Sequence, residues 1–412
     1  MTRLTDMDGC RAARAALLVL ACGVSAALHL GKLPPAIPTL QAALGLTLVQ
    51  AGFLLSLVQL AGMSVGLAFG VLADGLGLRR SLLIGLSVMS LASAVGGGVS
   101  SVPALMLMRA VEGFGFLMTV LPGPGLLRQL VPPARLSRAM GLWGAYMPLG
   151  AAAALLVGPL VIQGLGWRFW WWGLSALSGL MALAVLRLVP GAPSIARPAA
   201  AQSWLQRLRR TLTAPGPWLL ALTFASYSGQ WLAVVGFLPT IYRDAGLALT
   251  LGGVLTAIVA AANIVGNVGS GWLLHHGWSA PRLLAIGFIV TALGSMLAFL
   301  ELGQPAWLRF VAVLLFSMMG GLIPGTLFAL VVHAAPGEDT MSSTVGWIQQ
   351  WSSFGQFAGP PLVGWVVERL GGWQYTWLAT TGCALVGLVL VTRIARLLAA
   401  RGVGVSPVTD AG

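Results

Sequence analysis

Arg109 and Glu112 lie three residues apart inside the apolar run 103–127. Residues at that spacing share one face of a helix, so the guanidinium and the carboxylate can touch. Charge in so apolar a run is costly unless it is paired or faces a cavity. The pair therefore either locks its helix or serves as a substrate anchor and proton site. Glu112 is the one carboxylate placed well inside an apolar run, which makes it the natural proton carrier. Lys32 closes the series Ser25, His29, Lys32 on one face of the first apolar run, and by helical rise it can share a level with Arg109. A lysine snorkelling from a helix end is the alternative. With all three groups ionised, the set carries one excess positive charge and suits an anion better than a cation. His29 reads as a packed or polar lining residue, because no second metal-type side chain is spaced with it. Phosphate loops, paired catalytic carboxylates, zinc spacings and nucleophile elbows are absent from the sequence, so neither an enzyme nor a metal or cofactor site is expected.

A second polar stretch, Gly70–Arg80 (GVLADGLGLRR), separates two long apolar runs. Asp74 stands where one run ends, and Arg79 and Arg80 where the next begins. Gly70 allows close helix approach, while Gly75 and Gly77 permit a tight turn. Aromatic and amide side chains mark further candidate lining positions: Trp143 and Tyr146, then Tyr227, Gln230 and Trp231, Asn263 and Asn267, and Gln349, Gln350, Trp351 and Gln356. Trp170, Trp171 and Trp172 sit near the end of a run and read as membrane-interface anchors.

These residues need long helices to hold them. The chain of 412 residues is 58% hydrophobic and 8% charged, against about 25% charged in soluble domains. Apolar windows recur at 14–37, 47–72, 81–99, 103–127, 138–163 and 168–189, and again at 217–241, 249–274, 281–300, 307–333, 341–366 and 373–396. Each is long enough to cross a bilayer as a helix. The expected organisation is a leader over 1–13, a six-helix bundle over 14–189, a linker over 190–215, a second bundle over 216–396 and a tail over 397–412. The net charge of +13 comes from arginines at the termini, in the linker and in alternate loops. That is the positive-inside pattern, so the charge marks membrane topology rather than nucleic-acid binding and places both termini in the cytoplasm. Cys10, Cys22 and Cys383 form no disulfide framework.

The halves repeat. Pro38-Thr39 recurs as Pro239-Thr240, 201 positions later, and Gly45-Leu46, Gly52, Gly70 and Gly158-Pro159 recur at the same offset. One offset held over that distance indicates two six-helix units related as parallel repeats.

The loop at Gly70–Arg80 resembles the G-x-L-A-D-R-x-G-R-R signature of the major facilitator superfamily, with Gly75 where that family usually has Arg. Arg109-Ala-Val-Glu112-Gly113-Phe-Gly115 resembles its fourth-helix motif. Gly144, Gly150, Gly158-Pro159 and Gly164 resemble the fifth-helix motif of its antiporter branches, and Gly166-Trp167-Arg168 resembles the turn before its sixth span. Gly31-Lys32-Leu33-Pro34-Pro35 and Trp143–Pro148 are similar to the cyanate and nitroimidazole transporter-like branch. The resemblance implies an all-α integral membrane protein, with 12 transmembrane helices in two pseudo-symmetric bundles. It would be a monomeric secondary carrier in the inner (plasma) membrane that works by alternating access. Lys32, Arg109, Trp143, Tyr146, Tyr227, Gln230, Trp231, Gln349 and Gln350 would meet the substrate, and Glu112 would couple protons. Gly70, Asp74, Gly77, Arg79 and Arg80 would form a conformational loop. A small anion is the expected cargo; proton-driven efflux of drugs or other hydrophobic compounds, and a non-transporting sensor, are the alternatives.

Overall fold

The computed structural model describes residues 9–64, 77–132, 135–136, 139, 142–143, 146–190 and 204–401. Gly70, Asp74 and Gly75 of the expected loop, the start of the leader, Gly144, most of the linker before Trp204 and the tail beyond Arg401 lie outside these residues. The described chain is helical: α1 (Gly9–Gly31), α2 (Leu33–Leu44), α3 (Leu48–Ser56), α4 (Leu78–Gly98), α5 (Val102–Val120), α6 (Gly123–Leu130), α7 (Tyr146–Leu165) and α8 (Trp167–Leu188). They are followed by α9 (Trp204–Thr213), α10 (Pro215–Asp244), α11 (Leu249–His275), α12 (Ala280–Phe299), α13 (Ala306–Gly320), α14 (Leu322–Ala334), α15 (Met341–Leu370) and α16 (Thr376–Ala400).

Three of the expected spans are broken helices, and proline explains each break. A proline has no N–H to give the carbonyl four residues back, and its ring crowds that carbonyl. Pro34 and Pro35 interrupt the first span at Lys32, Pro122 and Pro124 divide α5 from α6, and Pro324 follows the break between α13 and α14. Ten helical stretches of the described residues are long and apolar enough to cross a membrane. Leu48–Ser64 is shorter, and α15, with Gln349, Gln350 and Gln356, is more polar. Apolar side chains such as Leu91, Leu107, Leu160 and Val268 are more than 60% exposed, which fits faces turned to lipid.

The chain divides into two compact units, Met1–Ala196 with Leu238–Ala257, and Arg197–Phe237 with Ile258–Gly412. In the first, Val19, Cys22 and Ala26 of α1 pack with Leu82, Leu86 and Met89 of α4, Phe116 of α5 and Leu127 of α6. The core of the second gathers Phe224 and Tyr227 of α10, Leu284 and Phe288 of α12, Ile323 and Leu327 of α14, and Ile348 of α15. The stretch expected as linker contains α9. Arg210 pairs with Asp339 at 2.7 Å and the Thr211 and Ser343 hydroxyls are 2.6 Å apart, so this helix is fastened within the second unit.

Close crossings use glycine where a backbone must meet another. A Cβ on Gly115 would lie 2.6 Å from Met89 Cγ and 2.8 Å from the Gly85 carbonyl, whereas one on Gly98 would meet nothing within 4 Å. Gly115→Val is expected to destabilise the first unit by about 2 kcal/mol through overpacking, and Gly98→Ala to leave stability nearly unchanged. Thermal unfolding in detergent checks this; equal melting of the two variants would rule out the crossing as a constraint.

Candidate functional site

The first helix breaks at Lys32, and the chemistry gathers at that break. Lys32 caps α2 without leaving the helical region of backbone space (φ −69°, ψ −27°) and is fully buried. Its Nζ donates to Glu112 Oε1 and, at 3.0 Å, to the Ser93 hydroxyl of α4, and it lies 4.6 Å from the centre of the Trp171 ring of α8. Ser93 in turn donates to the Trp171 carbonyl at 2.9 Å, and Trp170 Nε1 donates to the Lys32 carbonyl at 3.3 Å. The ammonium thus has a carboxylate, a hydroxyl and an aromatic face, the three kinds of group that stabilise a desolvated cation.

Arg109 and Glu112 share a face of α5, as their spacing requires. Arg109 Nη1 donates to Glu112 Oε2 at 2.5 Å and to the His29 carbonyl at 2.9 Å, while Nε donates to the Leu54 carbonyl at 3.3 Å. Arg109 Nη2 is buried without a hydrogen-bond partner among the described residues. Gly113 lets α5 approach this closely, since a Cβ there would collide with the Val58 backbone. One carboxylate therefore serves two cations, and Lys32, Arg109 and Glu112 are each 0–1% exposed. With His29 neutral, the cluster holds one excess positive charge.

His29 completes the group. Its Nε2 is 2.9 Å from the Ser178 hydroxyl of α8, which lies 3.3 Å from the Ser25 hydroxyl. Its Nδ1 faces Glu112 Oε1 at 3.7 Å, too far for a hydrogen bond, and is buried with no partner.

The other expected residues have their own surroundings. Trp143 is 8% exposed and packs into the hydrophobic core over Gly23 and Gly123, with its ring 4.8 Å from that of Tyr146. In the second unit, the Tyr227 hydroxyl accepts from Asn263 Nδ2 at 2.6 Å, and Asn263 also donates to the Ser317 carbonyl at 2.8 Å. Trp231 Nε1 donates to the Ser317 hydroxyl at 3.0 Å. Gln230 is buried; it donates to the Ser226 carbonyl at 3.1 Å, and its Oε1 has no partner. Gln349 is exposed and Gln350 half-buried. At the loop, Gly77 takes a positive φ of +85° before α4, Arg79 donates to the Leu186 carbonyl of α8 at 2.7 Å, and Arg80 is exposed.

One expectation changes. Trp170 and Trp171 are not interface anchors: they are 5% and 0% exposed and line the Lys32 site, and only Trp172, at 40%, is exposed. His29 is packed, as expected, and stands beside the charged cluster. The Ser25, His29, Lys32 face pointed to this in the sequence; the tryptophan run did not, because composition cannot show which side of a helix turns inward. Among the described residues no group of three His, Cys, Asp or Glu side chains is placed to hold a metal.

A profile described as Major Facilitator Superfamily matches residues 17–359. The putative niacin/nicotinamide transporter NiaP of Bacillus subtilis is 24% identical over 75% of this chain and 77% of its own length. Monocarboxylate transporter 11 of Homo sapiens is 28% identical over 84% of this chain and 74% of its own. The tetracenomycin C resistance and export protein of Streptomyces glaucescens is 35% identical, but over 29% of this chain, which spans only 23% of that protein's length. Among solved structures, a bacterial homologue of the human lysosomal transporter Spinster, inward-facing and unoccupied, superposes with a TM-score of 0.79 at 15% identity, covering 95% of this chain and 98% of its own.

Removing the shared carboxylate leaves two buried cations unpaired. Glu112→Ala is expected to lower stability by about 3–5 kcal/mol. Combining Lys32→Met with Glu112→Gln should cost less than the two single losses added together. Melting temperatures of the four proteins in detergent measure that coupling, and strict additivity would show that Lys32 and Glu112 do not act as a pair.

Proposed function

Because the chain belongs to the Major Facilitator Superfamily and is therefore a multi-pass membrane transporter, we propose that it carries a small monocarboxylate anion by alternating access, with Lys32 and Arg109 as the recognising cations. One observation carries this reading: Arg109 is fully buried, keeps Nη2 without a partner, and belongs to a cluster with more cations than carboxylates. An uncompensated buried cation is costly. A carboxylate arriving from solution supplies the missing charge and can accept from the free edge of the guanidinium. The relatives aligned over most of the chain support the same class in part: one name specifies monocarboxylates, and the other niacin, an anion in its carboxylate form, together with the uncharged nicotinamide. Export of hydrophobic compounds is the second reading; the aromatic and amide groups around Tyr227 and Trp231, and the shorter alignment with a resistance exporter, favour it.

The arginine distribution supports cytoplasmic termini, and a single chain with its own two units supports a monomeric carrier. Nothing in the reading requires a cofactor. We assign the Gly70–Arg80 loop a conformational role on its sequence motif and on the bond from Arg79 to the end of α8.

Arg109→Ala and Lys32→Ala should each weaken anion binding at least tenfold, about 1.4 kcal/mol. Arg109→Lys should fail too, because a point charge cannot reproduce the planar fork. Counterflow of lactate, nicotinate and galactonate in proteoliposomes, with tryptophan quenching on the purified protein, reads both. If the tightest ligand is a cation, or both alanine variants bind as the parent does, the exporter reading replaces this one. Asp74→Asn should slow turnover by several-fold at normal membrane abundance; unaltered turnover would remove the loop from the mechanism.

A further inference from the structure

We propose that His29 is the proton-binding group of the carrier, taking up one proton at Nδ1 for each monovalent anion bound, so that anion and proton move together without net charge. This rests on the anion reading above and adds to it the identity of the coupling residue.

Glu112 is the obvious proton carrier from sequence, but its surroundings argue against it. Its two oxygens already face Lys32 Nζ and Arg109 Nη1. A proton on Glu112 would leave both cations without the carboxylate they share, whereas a proton on His29 leaves that carboxylate ionised. His29 has the opposite situation. A neutral imidazole carries one proton for two ring nitrogens. Nε2 is occupied with the Ser178 hydroxyl, which can donate or accept, and Nδ1 is buried, unpartnered and aimed at Glu112 Oε1 from 3.7 Å. With the ring proton on Nε2 and donated to Ser178, one vacant proton position lies between Nδ1 and a carboxylate oxygen.

What keeps it vacant is Lys32, which occupies the same Oε1. The charged groups facing His29 are Lys32 at the α1–α2 break and Arg109 and Glu112 on α5; the neutral ones are Ser25 on its own helix and Ser178 on α8. When a carboxylate binds, it draws Lys32 toward itself and loosens its hold on Oε1. A new N–H bond at His29 Nδ1 then has a free acceptor. The charge balance agrees: the empty cluster is +1, anion binding brings it to zero, and a proton on His29 restores +1. On release the Nδ1–H bond breaks, the proton leaves to the same side as the anion, and Lys32 returns to Oε1.

The internal repeat supplies the substitution. At the 201-residue offset, Ser25 and His29 correspond to Ser226 and Gln230. Gln230 is buried in its own unit and bonds back to the Ser226 carbonyl. Glutamine is thus a non-titrating side chain already housed at the equivalent position.

The test uses the full-length protein in proteoliposomes with radiolabelled lactate, comparing the parent with His29→Gln and His29→Asn. For each, the accumulation driven by an imposed pH gradient is divided by the rate of counterflow at equal pH. In the parent, lactate entry should carry one proton per anion, read by an internal pH dye, and generate no membrane potential. In both variants the ratio of accumulation to counterflow should fall at least tenfold, and the pH dependence of counterflow should flatten. A merely structural histidine would lower both quantities together and leave the ratio unchanged, which overturns the proposal. So does parent uptake that is electrogenic or moves no protons, while the anion reading stands. If the parent exchanges neither lactate, nicotinate nor galactonate, the anion reading itself fails and this one falls with it.

Discussion

One carboxylate held between two cations is the constraint on which the first unit depends. Glu112 is buried, and so are Lys32 and Arg109, and none of the three could remain ionised there alone. Meeting requires three features at once. The first helix must break so that Lys32 is presented from its end, which Pro34 and Pro35 bring about. The fifth helix must come close enough for Arg109 to reach the carbonyls of His29 and Leu54, which Gly113 permits. Finally α8 must turn Trp171 inward beneath the ammonium. The cluster is the point at which α1, α2, α4, α5 and α8 agree on one geometry.

The repeat makes the placement of charge more informative. At the 201-residue offset, Lys32 corresponds to Ala233, Arg109 to Phe310 and Glu112 to Val313. The second half has apolar residues at these positions, and its own polar network runs elsewhere in that half, through Tyr227, Asn263, Trp231 and the backbone and hydroxyl of Ser317. Two halves of related sequence have thus taken different tasks. The first holds ions; the second holds neutral donors and acceptors beside aromatic rings.

Much of this was legible in the sequence, because membrane helices leave strong traces. Apolar windows marked the spans, and the i, i+3 spacing brought out the Arg109–Glu112 contact; the repeat marked two halves, whereas the compact units divide otherwise, with Leu238–Ala257 joining the first. Lys32 was legible in part: the helical rise put it at the level of Arg109, but a snorkelling lysine fitted the sequence as well. What escaped were facts of rotation and of local backbone. Trp170, Trp171 and Trp172 are identical in type and adjacent in sequence, yet helix rotation sends two inward and one outward. The breaks at Lys32 and Gly321 follow from prolines whose effect was not carried through to helix ends. Trp143, a candidate lining residue by type, packs over the glycines at 23 and 123, which only the packing shows. The α9 helix was hidden by a composition that also suits an irregular linker.

Burial also decides which part of the cluster must move. Arg109 is anchored in the middle of a helix and holds a carboxylate and two backbone carbonyls, so shifting it means shifting α5. Lys32 stands at a helix break on a flexible stem, and its partners are single side-chain atoms and a ring face. A compact ammonium exchanges one oxygen ligand for another at small geometric cost, whereas a guanidinium fork does not. Any anion that reaches the cluster is therefore met by a fixed Arg109 and a mobile Lys32. The helix break that lets Lys32 move is also what joins its displacement to α2. A change of charge at one oxygen of Glu112 is in this way connected to the position of a helix end, which is the kind of link that alternating access requires.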